Sequence, residues 1–585
     1  MVQPLFPTPY RVREAVRTHA PRWVDAALLA ALALLAYGML RTAAHWTGPA
    51  VPVVAMDLSP SRLPAYAGLS TLRMAVAYAI SLVFAIAYAR IAAASRAAER
   101  VMVPVLDILQ SIPILSFLPG VVLALTALFP GRELGLELAA IVLIFTSQAW
   151  NLAFSFHQSL LTVPRDLVEA SQVYRLGFWF RFTRLELPFG AIPLIANSMM
   201  SWAGGWFFLM ASEQFTLGSR DFRLPGLGSY LATAAERGDT RALGLGLVTL
   251  IVVVVLLDLV LWRPLVAWSE LFKLEQAGGA AVADSPVLEA LRGSTLARWV
   301  GSTVLLPVLH RLDRLFGRPE PAGAPAAESG RGGEGRAGAR VLRIAGGALL
   351  VLLALAGAAA AARALVQLSG AEWLRVAEGA GATLLRTTIA LAIGAAWTIP
   401  AGVAIGMSPT WSKRIQPLVQ VVASIPATAL FPALLFALLA VPGGLNVAAV
   451  ALMLLGTQWY VLFNVTAGAM AIPNDLKEAA ATYRVQGWLR WRTLILPGIF
   501  PYVVTGLITA MGGAWNASVV SELVTFGGQR RSTIGLGSLI AQAADGGHFP
   551  LLFASTLVMS AIVIAANRLV WRRLYRLAEN RYRLG

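Results

Sequence analysis

Runs of about 20 apolar residues recur along this chain, the length a helix needs to cross a hydrocarbon core of roughly 30 Å. In runs of that length only a helix satisfies its own backbone hydrogen bonds without water, so the expected fold is all-α and polytopic. Composition agrees: 57% of the 585 residues are hydrophobic and 13% are charged. The chain has no cysteine, which excludes disulfides, thiolate chemistry and cysteine metal sites. His19, His45, His157, His310 and His548 are scattered without ligand spacing, so they read as surface or interface residues and no metal site is expected.

A net charge of +17 raises nucleic acid as a partner, but the arginines cluster in alternate loops, the pattern that orients membrane proteins. Nucleic acid is therefore not expected; membrane lipid is. Arg11, Arg13, Arg17 and Arg22 precede a first span from Trp23 to about Leu40. It lacks a small-residue cleavage site and reads as a retained span. Five more spans are expected near 68–90, 102–128, 136–160, 189–212 and 243–268. A second set of six is expected near 341–366, 380–407, 415–440, 445–470, 498–522 and 549–571. This gives a first repeat at 1–270, a linker at 271–340 and a second repeat at 341–585. The Gly/Pro/Ala/Arg/Glu stretch from Gly317 to Arg340 has no apolar period and reads as disordered. Before it, Leu296–Leu309 reads as an interfacial helix.

Between the fourth and fifth spans of each half lies a charged island. Pro164 to Pro188 aligns without a gap with Pro473 to Pro497, 309 residues later, and the two share 12 of 25 residues. An ordinary loop with good helix caps would not keep that many. The repeat extends further. Arg73 matches Arg386 and Ser111-Ile112-Pro113 matches Ser424-Ile425-Pro426 at an offset of 313; Ser212-Glu213 matches Ser521-Glu522 and Gly226-Leu227-Gly228-Ser229 matches Gly535-Leu536-Gly537-Ser538 at 309. An even number of spans per half gives both halves one orientation, with a pseudo-twofold along the membrane normal. By charge bias the islands and both termini are cytoplasmic. Pro164 and Pro473 suit a first helical position, and Asp166 and Asp475 suit a first turn, so each island is expected to be a short amphipathic surface helix of about 18 Å over 12 residues.

These residues resemble a known family. Glu-Ala-Ala with Leu-Pro completed 19 residues after the Glu is the loop signature of permease subunits in binding-protein-dependent ABC importers. Here it stands as Glu169-Ala170-Ser171 to Leu187-Pro188 and Glu478-Ala479-Ala480 to Leu496-Pro497. The resemblance implies two tandem permease domains of the type I importer fold in a bacterial-type inner membrane. It implies that the islands are coupling helices for two ATP-binding subunits, carried by Asp166, Glu169, Ala170, Tyr174 and Arg175 and by Asp475, Glu478, Ala479, Tyr483 and Arg484. It also implies an extracytoplasmic solute-binding protein. The family usually places Gly six residues after the Glu; here Arg175 and Arg484 stand there, and Gly177 and Gly487 are candidates for the turn. The segment from Trp515 to Glu522 and the later Gly-Leu-Gly look most like the nitrate/sulfonate/taurine group, so small oxyanions or sulfonates are the expected solutes.

A phosphate-binding loop needs Gly-Lys before Ser or Thr, and none of Lys273, Lys413 and Lys477 follows a glycine. ATP and magnesium are therefore expected on the partner, with no cofactor and no catalysis in this chain. Candidate pathway residues are polar or aromatic groups within spans. Glu213 and Glu522 would line the outer mouth or brace the next loop; Gln148 and Gln458 would meet solute or bond between helices; Trp206 and Trp515 would pack helices or wall the path. Arg220, Arg223, Arg530 and Arg531 face outside. The rival reading is a twelve-span transporter driven by an ion gradient, which predicts intramembrane acid/base relays.

Overall fold

The computed structural model describes residues 56–130, 132–217, 220–269, 285–317, 357–438, 443–526 and 529–581, with positions 25, 26, 29 and 272. Most of the first expected span, residues 341–356 of the seventh and residues 318–340 of the linker lie outside the described residues.

The first repeat contains α1 (Leu63–Ala92), α2 (Arg96–Ser111), α3 (Leu118–Leu128), α4 (Leu134–Leu161), α5 (Arg165–Val173), α6 (Leu187–Glu213), α7 (Leu227–Glu236) and α8 (Thr240–Leu257), which runs on to Ser269. In the linker come α9 (Pro286–Gly293), α10 (Thr295–Val300) and α11 (Leu306–Phe316). The second repeat contains α12 (Gly370–Met407), α13 (Pro409–Ala423), α14 (Ala427–Leu438), α15 (Gly444–Ala471), α16 (Asn474–Thr482), α17 (Leu496–Ser521), α18 (Leu536–Asp545), α19 (Phe549–Ala566) and α20 (Arg572–Arg581). Seven helices are long and apolar enough to cross a membrane among the described residues, and the α13–α14 pair counts as an eighth when taken as one bent span. Their starts follow capping chemistry. Ser95 Oγ accepts from Ala98 N at 3.1 Å, Asp239 caps Ala242 N at 2.9 Å, and Ser369 forms a reciprocal capping box with Glu372.

Two expectations are corrected, and one feature is added to an all-α fold. The spans at 102–128 and 415–440 are not continuous: each breaks at Ser-Ile-Pro, and α13 and α14 meet at a 74° bend. The residue before a proline is pushed off helical geometry, and Ile112 takes ψ 124. The offset of the repeat changes here, because Ile114–Ser116 form an extra 3₁₀ turn in the first copy. Each repeat also holds a short antiparallel hairpin directly after its terminal Glu. Gln214–Leu217 (β1) pairs with Arg220–Arg223 (β2), and Leu523–Phe526 (β3) pairs with Gln529–Ser532 (β4). The island helices have 9 residues rather than 12, and Pro164 and Pro473 are N-caps rather than first helical residues.

Five π turns occur among the described residues, at Phe182–Glu186, Asp258–Trp262, Gly301–Leu305, Trp491–Ile495 and Asn567–Trp571. Four lie directly ahead of Pro188, Pro264, Pro307 and Pro497. A proline ring clashes with the carbonyl four residues before it, and widening the helix by one residue moves that carbonyl aside. Leu187 N accordingly bonds Phe182 O, and Leu496 N bonds Trp491 O.

Within each repeat α4 packs between α1 and α6, and α15 between α12 and α17. Between repeats the contacts are exchanged: the Ile114–Ser116 turn lies on α17 while α14 lies on α6. Leu115 N bonds Asn516 Oδ1 at 3.4 Å and Thr556 Oγ1 donates to Ser116 O at 3.2 Å. This reciprocal exchange is what a twofold relation requires.

Gly226 and Gly535 sit where a Cβ would overlap the carboxylates of Glu213 and Glu522. Gly535→Ala is expected to cost about 2–3 kcal/mol through overpacking and broken hydrogen bonds. Gly244→Ala, in open space within α8, is expected to gain about 0.5–1 kcal/mol. Thermal unfolding of the two variants in detergent checks the pair.

Candidate functional site: paired braces, central cavity and surface helices

Glu213 is fully buried. Its Oε1 accepts from Ser70 Oγ at 2.6 Å and from Arg73 Nη1, and its Oε2 accepts from Gly228 N at 2.6 Å. Arg73 also forks onto Glu137, with Nε to Oε2 at 2.6 Å and Nη2 to Oε1 at 2.7 Å. The second repeat builds the same brace. Glu522 Oε1 accepts from Thr383 Oγ1 at 2.8 Å and Arg386 Nη1 at 2.7 Å, and Oε2 accepts from Gly537 N at 2.9 Å. Here Asn446 stands where Glu137 stood, and Arg386 Nη2 reaches its Oδ1 at 2.8 Å. The Gly-Leu-Gly segment is thus explained: it brings the N-terminus of α7 or α18 onto a carboxylate, where helix polarity favours negative charge. Glu213 and Glu522 act as braces and do not border the central cavity.

That cavity lies between the repeats, with a volume of about 510 Å³. Six amides, Gln110, Asn151, Asn197, Asn464, Asn516 and Asn567, line it with hydroxyls and apolar groups, and no charged side chain does among the described residues. Of the sequence candidates only Trp515 borders it. Gln148 is fully buried, with Nε2 on Met74 Sδ at 3.4 Å, and Gln458 Oε1 accepts from Trp397 Nε1 at 3.1 Å. Trp206 is packed in the apolar core of the first repeat. The amides were missed by the sequence reading; the only signal was their polarity within apolar spans. Opposite the islands, Arg223 pairs with Glu236 at 2.7 Å and Arg530 pairs with Asp545; the Arg220 side chain is outside the described residues.

On the other side stand the islands. Asp166, Glu169, Tyr174 and Arg175 are exposed on and after α5, with Ala170 half-buried; Asp475, Glu478, Ala479, Tyr483 and Arg484 are exposed on and after α16. Tyr174 is 78% exposed and Tyr483 81%. Each helix ends in a Schellman cap: Leu176 N bonds Ser171 O at 2.9 Å and Val485 N bonds Ala480 O at 2.8 Å. The left-handed residue of each cap is the arginine itself, Arg175 at φ 50 and Arg484 at φ 53, the two positive-φ non-glycine residues among those described. Gly177 is extended at φ −61; Gly487 has φ 56 but starts the next short helix. The turn therefore falls on the family's Gly position, with Arg bearing the strain.

Two helical repeats that span a membrane, flank a cavity lined by neutral amides, hydroxyls and apolar groups, and display matched surface helices define a multi-pass permease. The chain belongs to the family described as binding-protein-dependent transport system inner membrane component, which matches residues 71–262 and 398–584. It is similar to the nitrate import permease protein NrtB of Leptolyngbya laminosa, 26% identical over 189 residues, covering 32% of this chain and 64% of the relative. It is 25% identical over 187 residues to the bicarbonate transport system permease protein CmpB of a Synechocystis strain, covering 32% and 64%. To the taurine transport system permease protein TauC of Escherichia coli it is 26% identical over 187 residues, covering 32% and 62%. The matched stretch thus spans less than two thirds of each of these relatives.

Left-handed geometry costs a non-glycine residue about 1–2 kcal/mol. Arg175→Gly and Arg484→Gly are each expected to raise stability by about 1 kcal/mol, because glycine gives back part of the relief as unfolded-state entropy. Thermal unfolding of the purified chain measures it.

Proposed function

We propose that this chain forms the solute path of an ATP-driven importer, with α5 and α16 as cytoplasmic coupling helices for two separate ATPase subunits that bind ATP and magnesium. The observation that carries this reading is the pair of matched islands. Each presents an acidic face, an exposed tyrosine and a strained arginine at equivalent positions, although a glycine would be easier for the chain. Charged and aromatic groups held in fixed register suit a partner groove, where they set orientation as well as affinity. Closure of the ATPases would move both helices, and through the π turn that follows each island would bend α6 and α17 around the cavity. The braces would keep the opposite ends of those helices together with α7 and α18, where a solute-binding protein would deliver its cargo.

Small oxyanions or sulfonates are the proposed solutes. The names of the relatives support this, and so does the cavity lining: neutral amides and hydroxyls hydrogen-bond an anion without holding it as a buried arginine would, and passage requires weak sites.

Two measurements check this. Pull-down from membranes is expected to recover an ATPase that is lost in the double variant Glu169→Arg/Glu478→Arg; nucleotide-free uptake by vesicles holding only this chain would overturn the reading in favour of a gradient-driven carrier. Asn151→Asp, which places a negative charge in the cavity, is expected to lower uptake of nitrate, bicarbonate or taurine about tenfold or more while leaving ATPase recovery unchanged.

A further inference from the structure

Among the described residues the linker helix α11 is docked on the first island and not on the second. Asp313 accepts from Trp179 Nε1 at 2.7 Å and pairs with Arg184 Nη2 at 3.1 Å, and the Phe316 ring lies 5.3 Å from that of Trp179. Gly317 packs against Phe180 so closely that a Cβ would collide with the ring. At its other end the linker is held by Asp25, which accepts from Ser294 Oγ at 2.5 Å and from Leu296 N at 3.1 Å. A second tether acts on the same loop: Glu186 pairs with Arg90 at 2.7 Å and with Arg181 at 3.1 Å, joining it to the end of α1.

Among the described residues the second repeat has neither. The residues 309 on are Trp488 for Trp179, Leu489 for Phe180, Thr493 for Arg184 and Ile495 for Glu186, so both acidic contacts are gone. Trp488 is 73% exposed and Leu489 57%. The same tryptophan is half-buried in one copy and bare in the other.

We infer that α11 is a built-in clamp that positions the first coupling loop, so that the two docking positions are inequivalent: one is ordered by the chain itself, and the other only when a partner arrives. An ordered loop loses less conformational entropy on binding, so the first position binds its ATPase first and more tightly. Asp313 is then a positioning residue, acting through Trp179 and Arg184. The clamp stands on the contacts alone, whereas its consequence for docking rests on the importer reading.

Because the chain has no cysteine, single labels are clean. Nitroxides placed by Gln172→Cys on the first island and Ala481→Cys on the second report local mobility. The first is expected to be the slower, by severalfold in rotational rate. Asp313→Ala is expected to bring the first up to the rate of the second, leaving the second unchanged, with Asp313→Glu restoring restraint. Equal mobility at the two labels with Asp313 intact, no response to Asp313→Ala, or an equal response at both labels would each overturn the clamp. Should Asp313→Ala fail to fold, Trp179→Phe removes the indole donor while keeping an aromatic ring beside Phe316, and is expected to loosen the first label alone. The same cysteines, cross-linked to a co-purified ATPase, test the consequence. Asp313→Ala should lower the yield at 172 at least threefold and not at 481. No cross-link from either cysteine with Asp313 intact would sink the importer reading while the spectra still judge the clamp.

Discussion

One buried carboxylate per repeat organises this molecule. Ionic groups removed from water are costly unless every lone pair and proton finds a partner, and breaking one member leaves the rest uncompensated. Glu213 meets that condition by gathering a serine, an arginine and a helix N-terminus, and Glu522 does so with a threonine, an arginine and the corresponding helix. Four elements, α1, α4, α6 and α7, or α12, α15, α17 and α18, are thereby fixed at one end of each repeat. The hairpins begin at the residue after the carboxylate because the chain must turn there to bring the Gly-Leu-Gly segment back onto it.

The opposite end of each repeat is organised differently. Proline breaks, π turns and Schellman caps control where α5 and α16 point, and their ionic groups face outward instead of inward. A rigid end and a jointed end on the same long helices suits the proposed coupling: motion applied at the joints would become a change in helix separation along the cavity, while the braced end would resist it.

Much of this was legible in the sequence, though unevenly. The islands stood out because a polar run that recurs at a fixed offset within an apolar chain is seldom a mere connection. The four matched charges Arg73, Arg386, Glu213 and Glu522 were also visible, but their pairing was not, because partners on different helices carry no spacing signal. Ser-Ile-Pro breaks vanish in a hydropathy window, since proline and isoleucine are themselves apolar. Side-chain type argued against a left-handed arginine, and tertiary and capping interactions overrode it at Arg175 and Arg484. The cavity amides were hidden because a single Asn in an apolar helix reads equally well as an interhelical hydrogen bond.

The extra 3₁₀ turn at Ile114–Ser116 shows what covalent fusion permits. In a pair of identical subunits any insertion appears on both sides of the axis, and a residue pressed against α17 by one copy would have to be accommodated against α6 by the other. Joined in a single polypeptide, the copies are free to drift apart, as Glu137 and Asn446 also have. A solute on the proposed path would meet two walls of different shape and chemistry, which would favour one orientation of an unsymmetrical molecule.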